Sequence, residues 1–217
     1  MQKLSKNYKH IIFDFDGTIN DTSEGIYATF ITVLKHFGID ASNWDLSEHI
    51  GPPLTYSYTK LVGAARCDEA IALHRKTFVD INAVALSKPY DGAIDLLDKV
   101  YNSKKYTLSV ASCKYEPSLL ASLKLLKIEK YFNYVYAQNA SRQYKAEVLN
   151  ALMDENGLDR RECLLIGDTL NDIDGAKATG IDVVAVTYGF GKRDELERSN
   201  AVALCDSPEQ VAELLLN

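Results

Sequence analysis

The sequence predicts an α/β protein whose core is a doubly wound, Rossmann-like parallel sheet with an inserted all-helical cap. Two observations predict this fold class. Short apolar runs that end in polar or acidic residues alternate with segments of helical periodicity over most of the chain, as in βα units. Only residues 21–87 break the alternation, because they show helical periodicity without a convincing strand.

The first strand is predicted at "HIIFDFD" (10–16), a nearly continuous apolar run that suits a central strand covered on both faces. Similar runs predict further strands at 106–112, 133–138, 163–168 and 183–189. Apolar residues at helical spacing predict helices at 91–101, 116–127, 145–156, 170–179 and 207–216. Right-handed crossovers between these strands would give a doubly wound sheet.

The helical segment carries three apolar stripes. The stripes are Ile26, Phe30, Val33 and Phe37, then Leu54, Tyr58 and Leu61, then Ile71, Phe78, Ile81 and Ala85. We interpret residues 21–87 as a cap over the C-terminal edge of the sheet, with hinges near Asn20 and Lys88. Residues 1–20 and 88–217 would then form the catalytic core.

The composition limits the partners of the protein. A net charge of −6 without a run of Lys or Arg argues against nucleic acid and membranes, so a local site or a metal must attract any anionic substrate. No apolar stretch resembles a secretion signal or a membrane span. The four widely spaced cysteines are interpreted as reduced thiols. We expect a cytoplasmic monomer or homodimer.

Two predicted strands end in acidic residues. Asp14 and Asp16 follow the first strand, and Asp168 and Asp172 follow the run at 163–168. In an open α/β sheet, ligands bind beyond the carboxyl ends of the strands. Because carboxylates are ligands that Mg²⁺ prefers, the pattern predicts a Mg²⁺ site. The alternative is that Asp168 and Asp172 only cap a helix.

A carboxylate beside Mg²⁺ can attack phosphorus and form an aspartyl-phosphate. Asp14 is the predicted nucleophile, and Asp16 the general acid to the leaving alcohol and then the base to water. Gly17 permits a sharp turn close to the substrate, and Thr18 offers a hydroxyl and an N–H to a phosphate oxygen.

Three more residues are predicted to bind the phosphoryl group. Ser112 ends one strand, and Lys145 begins a helix after another, where it can pair with both phosphate and Asp14. Taken alone, Ser112 would more simply be a residue at a helix start and Lys145 a surface lysine, and it is their positions after predicted strands that favour phosphate binding. Cys113 is included beside Ser112, with an inert buried thiol or a redox role as its alternatives.

The segments "DFDGTINDT", "VASCKYE", "YKAEVL" and "IGDTLNDIDGAKATGI" resemble, in order and spacing, the four motifs of the haloacid dehalogenase superfamily. The insertion directly after the first motif is similar to the family's small helical cap, and the chain looks most like phosphoglycolate phosphatase-like members. The resemblance implies the roles given above for Asp14, Asp16, Ser112 and Lys145. It also implies metal ligation by Asp168, by Asp172 directly or through water, and by the backbone carbonyl of Asp16. The carboxylate at position 16 indicates phosphate chemistry, because the family's dehalogenases lack it.

The chain departs from the family pattern at two places. Ala146 follows Lys145 where many relatives have proline, which leaves Lys114 as an alternative third-motif lysine. His49 stands where several phosphoglycolate-type relatives carry a basic residue before the cap glycine, here Gly51. We expect His49 and Gly51 to contact the substrate, and the alternative is a plain helix start.

The main hypothesis is a Mg²⁺-dependent phosphatase for a small phosphomonoester, such as phosphoglycolate, a sugar phosphate or a nucleoside monophosphate. The alternatives are a phosphosugar mutase of the β-phosphoglucomutase type and a non-enzymatic, receiver-like module that accepts phosphate on an aspartate. Three cap aromatics, Trp44, Tyr56 and Tyr58, either line a nucleoside pocket or pack in the cap core.

Overall fold

The core of the protein is a parallel sheet with its first strand at the centre. The structure is a computed structural model that describes residue 4 and residues 6–217. Within these residues the sheet has six strands in the order β5-β4-β1-β6-β7-β8, all pairs parallel. The strands are β1 (His10–Phe13), β4 (Thr107–Tyr115), β5 (Tyr134–Gln138), β6 (Cys163–Gly167), β7 (Asp182–Val186) and β8 (Ala203–Cys205). The predicted doubly wound α/β core is confirmed.

Helices cover both faces of this sheet. They are α4 (Ala93–Ser103), α5 (Glu116–Leu126), α6 (Lys145–Glu155), α7 (Leu170–Thr179), α8 (Arg193–Glu197) and α9 (Pro208–Leu216). Apolar residues of α4, α5 and α9 pack in one buried cluster, and those of α6, α7 and α8 pack in another. Strand β1 feeds both clusters, with Ile11 and Phe13 on one side and Ile12 on the other. This explains why its sequence is continuously apolar.

Three α-helices lie between β1 and α4, and we call residues Ser23–Leu86 the helical insertion. The helices are α1 (Ser23–His36), α2 (Leu54–Val62) and α3 (Cys67–Asp80). A two-stranded antiparallel ribbon, β2 (Asn20–Asp21) and β3 (Lys88–Pro89), joins the two ends of the insertion. The insertion buries its own apolar cluster, which includes Phe30, Val33, Leu46, Tyr58 and Phe78.

Several element boundaries differ from the sequence-based expectation. The third apolar stripe does not form one helix, because α3 ends at Asp80 and Asn82 adopts a left-handed conformation (φ 51°) before a 3₁₀ turn at Ala83–Leu86. Strand β4 runs three residues past Ser112, to Tyr115. Strands β2, β3 and β8 and helix α8 were not predicted, because each is five residues or shorter and carries little periodicity.

In the part of the chain that the structure describes, none of the helices combines the length and the apolar character that crossing a bilayer requires.

Candidate active site

The candidate site lies at the carboxyl ends of β1, β4 and β6. Asp14 directly follows β1, and its N–H donates to the carbonyl of Ile166 on the neighbouring strand β6 at 2.9 Å. The residue is only 5% exposed. The central strand of the sheet therefore fixes a carboxylate at the sheet edge, in a position where water has little access.

Three carboxylates meet at this edge. Asp14, Asp168 and Asp172 each offer an oxygen, and these oxygens lie within 4.8 Å of one another. Asp168 follows β6, and Asp172 lies in the first turn of α7, where its Oδ2 accepts the N–H of Thr169 at 3.0 Å and its hydroxyl at 2.9 Å. Asp172 therefore caps α7 with one oxygen while its other oxygen faces the carboxylate cluster.

Lys145 is the cation at the centre of this cluster. Its Nζ lies 2.8 Å from Oδ1 of Asp14, 2.8 Å from Oδ1 of Asp172 and 2.9 Å from the carbonyl of Ala111. Burial lowers the pKa of Lys145, but the two carboxylates outweigh burial and raise it overall. The lysine therefore stays charged although it is 2% exposed.

Burial also has the largest effect on the pKa values of Asp14 and Asp168. It raises the pKa of Asp14 from 3.8 to about 6, against the lowering effect of Lys145. Burial and the neighbouring Asp172 and Asp14 likewise raise the pKa of Asp168. Hydrogen bonds from the Phe190 N–H at 2.8 Å and the Thr18 hydroxyl at 3.2 Å lower it in part.

The cluster fits a divalent cation. Three buried carboxylates face a single ammonium group, which leaves an excess of two negative charges when all three are ionised. Oδ1 of Asp14 and Oδ1 of Asp172 contact Lys145 at ion-pair distance, but neither accepts a well-aligned hydrogen bond. Oxygen ligands with spare lone pairs suit Mg²⁺, which takes few carboxylates and keeps other positions for water or phosphate.

Asp16 lies apart from these three carboxylates and pairs with the other candidate lysine. Lys114 Nζ donates to both oxygens of Asp16, at 3.0 and 3.3 Å, and both side chains are buried. The two lysines that the sequence could not separate therefore contact different carboxylates. Lys145 contacts Asp14, as the sequence analysis expected of the third-motif lysine, whereas Lys114 holds Asp16.

The turn after β1 brings Gly17 against Asp168. Gly17 has φ +87°, and a Cβ built on it would lie 2.0 Å from an oxygen of Asp168, so only glycine fits there. The hydroxyl of Thr18 donates to the carboxylate of Asp168. The backbone N–H of Thr18 donates to the carbonyl of Phe15 at 3.4 Å, and the N–H of Gly17 donates to the carbonyl of Asn20. The structure thus uses the Thr18 hydroxyl to position Asp168 instead of leaving it free for phosphate.

Ser112 and Cys113 line a cavity above the carboxylates. The Ser112 Oγ accepts the N–H of Lys114 at 3.2 Å, which leaves its O–H free to donate to a phosphoryl oxygen. Burial raises the pKa of Cys113 to about 11, so its thiol is protonated at neutral pH. A protonated thiol is a poor nucleophile, which argues against a redox role.

The helical insertion forms the opposite wall of this cavity, whose volume is about 80 Å³. His49 and Gly51 both lie on the wall, so the structure brings these two predicted residues to the cavity. His49 is buried, and its Nδ1 has no hydrogen-bond partner among the described residues. Asn171 of α7 donates to the carbonyl of Gly51 at 3.2 Å, which ties this loop to the acidic turn.

The predicted aromatic stripe does not line the cavity. Trp44 and Tyr56 are about half exposed on the surface, whereas Tyr58 is fully buried and its hydroxyl lies 2.7 Å from Nδ1 of His74. The interpretation of these three aromatics as a nucleoside pocket is therefore wrong, because Trp44 precedes α2 and α2 exposes Tyr56 but buries Tyr58.

Sequence reasoning missed three residues around the site. His74 and Arg75 of α3 line the cavity, and Phe190, in the loop after β7, holds Asp168 through its N–H. Phe190 contacts Asp168 through its backbone N–H, which every residue except proline has, so its residue type does not predict this contact. The sequence analysis followed only the apolar stripe of this helix, so the positions of His74 and Arg75 emerge only from the packing of α3 against the end of β4.

The chain is similar to known proteins over most of its length. A family model described as haloacid dehalogenase-like hydrolase matches residues 11–186. The chain belongs to this family. It is 32% identical over 94% of its length to a 5'-nucleotidase of Pseudomonas aeruginosa, of which 94% is covered. It is 27% identical to a phosphoglycolate phosphatase of Mesorhizobium japonicum, with 91% of each chain covered.

The fold is likewise shared with solved members of the family. The crystal structure of a predicted phosphatase from Clostridium acetobutylicum superposes with a TM-score of 0.90 at 27% identity, covering 97% of this chain and 99% of the other. The resemblance carried by the four motifs is confirmed, and so is the prediction that the protein is a hydrolase of this family.

Proposed function

We propose that the protein is a Mg²⁺-dependent phosphatase that hydrolyses a small phosphomonoester through an aspartyl-phosphate at Asp14. The observation that carries the proposal is the convergence of Asp14, Asp168 and Asp172 within 4.8 Å, with Lys145 at 2.8 Å from Asp14. Relatives named for phosphatase activity on nucleotides and on phosphoglycolate support this reaction class.

The proposed reaction has two displacements. An oxygen of Asp14 attacks phosphorus, and the bond between phosphorus and the ester oxygen breaks as Asp16 donates a proton to the leaving alcohol. Asp16 then accepts a proton from the water that attacks the aspartyl-phosphate, which releases phosphate and restores Asp14. Lys114 fixes the side chain of Asp16 for both steps.

Asp14, Asp168 and Asp172, with the backbone carbonyl of Asp16, are the proposed Mg²⁺ ligands. The ion would neutralise the repulsion between the attacking carboxylate and the phosphate. Lys145 and the Ser112 hydroxyl would bind the equatorial oxygens of the phosphoryl group, and the proposed cap, residues 21–87, would exclude water. A cavity of about 80 Å³, where one water needs about 10–15 Å³, suits a small phosphorylated metabolite.

A phosphate-release assay over a panel of phosphomonoesters tests this proposal. We expect release with Mg²⁺ and none after chelation by EDTA, and we expect Asp14→Asn to lower kcat by at least about 10³-fold, since no nucleophile remains. Asp174→Asn is the matched control, because Asp174 is exposed on the same helix as Asp172. Full activity of Asp14→Asn, or phosphate release that is unchanged after EDTA is added, would refute the proposal.

Product analysis with a hexose phosphate separates hydrolysis from the mutase alternative. A phosphatase releases inorganic phosphate and free sugar, whereas a mutase returns an isomeric sugar phosphate. Membership of a hydrolase family argues against the receiver-like alternative.

A further inference from the structure

We propose that the cavity contains a second anion subsite at Arg75, which binds a carboxylate or phosphate group that the substrate carries besides the transferred phosphoryl group. The inference rests on the proposed phosphatase function and deepens it. It names the substrate class as short phosphomonoesters whose alcohol portion bears a second anionic group.

Arg75 is a cavity residue with an unused donor. It lies on α3, and its guanidinium carbon stacks 4.4 Å from the ring centre of Tyr115. Its Nε is buried and has no hydrogen-bond partner in the described part of the chain. A guanidinium always carries its charge and offers a planar set of donors, so a buried unpaired N–H on it favours an incoming anion.

The charge of Arg75 is also uncompensated by the protein. No carboxylate of the described residues lies within 4.0 Å of its guanidinium nitrogens. Asp16, which lines the same cavity, is already paired with Lys114 at 3.0 Å, and Glu116, the residue after Tyr115, is paired with Arg142 at 3.4 Å. In a protein of net charge −6, Arg75 is therefore a cation at the cavity without a carboxylate partner among the described residues.

The position of Arg75 matches the leaving-group side of the site. Arg75 and Phe78 lie one turn apart on α3, and the Phe78 ring centre is 5.0 Å from Nζ of Lys114, which holds Asp16. Tyr115, under the Arg75 guanidinium, directly follows Lys114. Because Asp16 is the proposed acid to the leaving alcohol, a group attached to that alcohol would extend toward Arg75.

The surroundings add neutral hydrogen-bonding groups to this charge. Burial, and next the charges of Lys114 and Arg75, lower the pKa of His74 to about 3, so His74 is neutral and adds no competing cation. The polar side chains of Ser118 and Gln138 line the same cavity. The cavity volume of about 80 Å³ suits a short molecule that carries both anionic groups.

Two matched ligand pairs test the subsite. The first pair is 2-phosphoglycolate and its neutral amide, and the second is ethylene glycol bisphosphate and ethylene glycol monophosphate, so that carboxylate and phosphate are distinguished. Binding is measured by calorimetry in Asp14→Asn protein, which does not depend on turnover, and kcat/KM is measured in protein with Asp14 intact. Each measurement is made with Arg75, Arg75→Gln and Arg75→Lys.

In at least one pair, we expect the member with the second anionic group to bind about tenfold to a hundredfold more tightly. This is the difference that hydrogen bonds to a charged group provide. Arg75→Gln should abolish that preference, and Arg75→Lys should restore part of it. Arg66→Gln is the matched control, because Arg66 also lies over an aromatic ring of the helical insertion, Phe37 at 5.9 Å, but is exposed outside the cavity.

Equal binding of both members of each pair in Arg75 protein would overturn the subsite. An equal loss of affinity for both members of a pair in Arg75→Gln would also overturn it, because an equal loss indicates a structural role for Arg75. If the binding preference is present but protein with Asp14 intact shows no turnover, the proposed phosphatase function is contradicted. The subsite is then still supported.

Discussion

Two buried lysines divide the acidic residues of the site between them. Lys145 contacts Asp14 and Asp172, and Lys114 contacts Asp16. Removing one partner of a buried ion pair leaves an uncompensated charge, so each lysine compensates the charge of the carboxylates that it contacts. The proposed nucleophile and the proposed acid are thereby held by separate cations.

The protonation of Asp14 gives a prediction for stability. Its pKa is raised from 3.8 to about 6 in the metal-free protein, so the folded state binds a proton more tightly than the unfolded state does. That contribution is complete below pH 3.8 and is lost as the pH rises through about 6. Asn at position 14 mimics the protonated carboxyl, and the free energy of unfolding of Asp14→Asn should therefore exceed that of the parent by an amount that grows over this range.

Urea denaturation at several pH values without metal measures this difference. Subtracting the two proteins cancels the titration of the groups that do not interact with Asp14, and the exposed Asp174→Asn variant is the control. Addition of Mg²⁺ should stabilise the parent more at pH 7 than at pH 4, because the ion replaces the proton. A difference that stays constant with pH would contradict the burial of an ionised carboxylate at this position.

For single residues, the sequence predicted the positions whose side-chain type is itself reactive. It did not predict the positions whose place at the site depends on tertiary packing. Asp14, Asp16, Asp168 and Asp172 could be predicted because acidic side chains at the ends of apolar runs have few structural reasons to be there. Arg75 could not, because its role depends on the contact of α3 with Tyr115 in a strand 40 positions later.

The contact between helices α6 and α7 positions Lys145. A Cβ built on Gly175 of α7 would lie 2.4 Å from Cγ of Lys145 and 2.8 Å from its Cβ. Glycine therefore lets α7 approach the lysine closely enough for its ammonium group to reach Asp14 and Asp172. The glycine lies within the fourth motif and the lysine begins α6, so the two motifs support each other through this contact.

We expect Gly175→Ala to be destabilising although alanine is the better helix former. The substitution would gain about 1 kcal/mol in an unconstrained helix, but overpacking a core costs about 1–3 kcal/mol and here displaces Lys145 as well. Both the free energy of unfolding and kcat should fall. Asp174→Ala, at the exposed neighbouring position, is the control, and a stabilised, fully active Gly175→Ala would contradict the described packing.

At the scale of elements, long apolar runs made the sheet predictable and short ones did not. Strands β1, β4, β6 and β7 are buried on both faces, so their sequences are nearly continuous apolar runs that can be recognised without the structure. Strand β8 has three residues, and the ribbon strands β2 and β3 have two each, too few for any period to appear. The ribbon falls at the predicted hinges, Asn20 and Lys88, where the chain enters and leaves the insertion.

On the scale of the whole molecule, the helical insertion and the sheet edge enclose one cavity. The insertion contributes apolar side chains, His49 and Arg75, and the sheet contributes Asp14, Asp16 and Ser112. The hydrogen bond from Asn171 to Gly51 and the packing of Phe190 against the insertion's apolar cluster join the two parts. Periodicity predicted a helical insertion here, but which of its residues face the nucleophile depends on the relative orientation of the two parts, which periodicity does not encode.

The central claim is that Asp14 accepts the phosphoryl group. Rapid acid quenching of the protein during turnover of its best substrate with Mg²⁺, followed by mass spectrometry of the digested chain, tests this claim most directly. The account predicts one added phosphoryl group on the peptide from the end of β1, assigned to Asp14 and absent from Asp14→Asn. A phosphoryl group trapped on another residue of an active protein would contradict it.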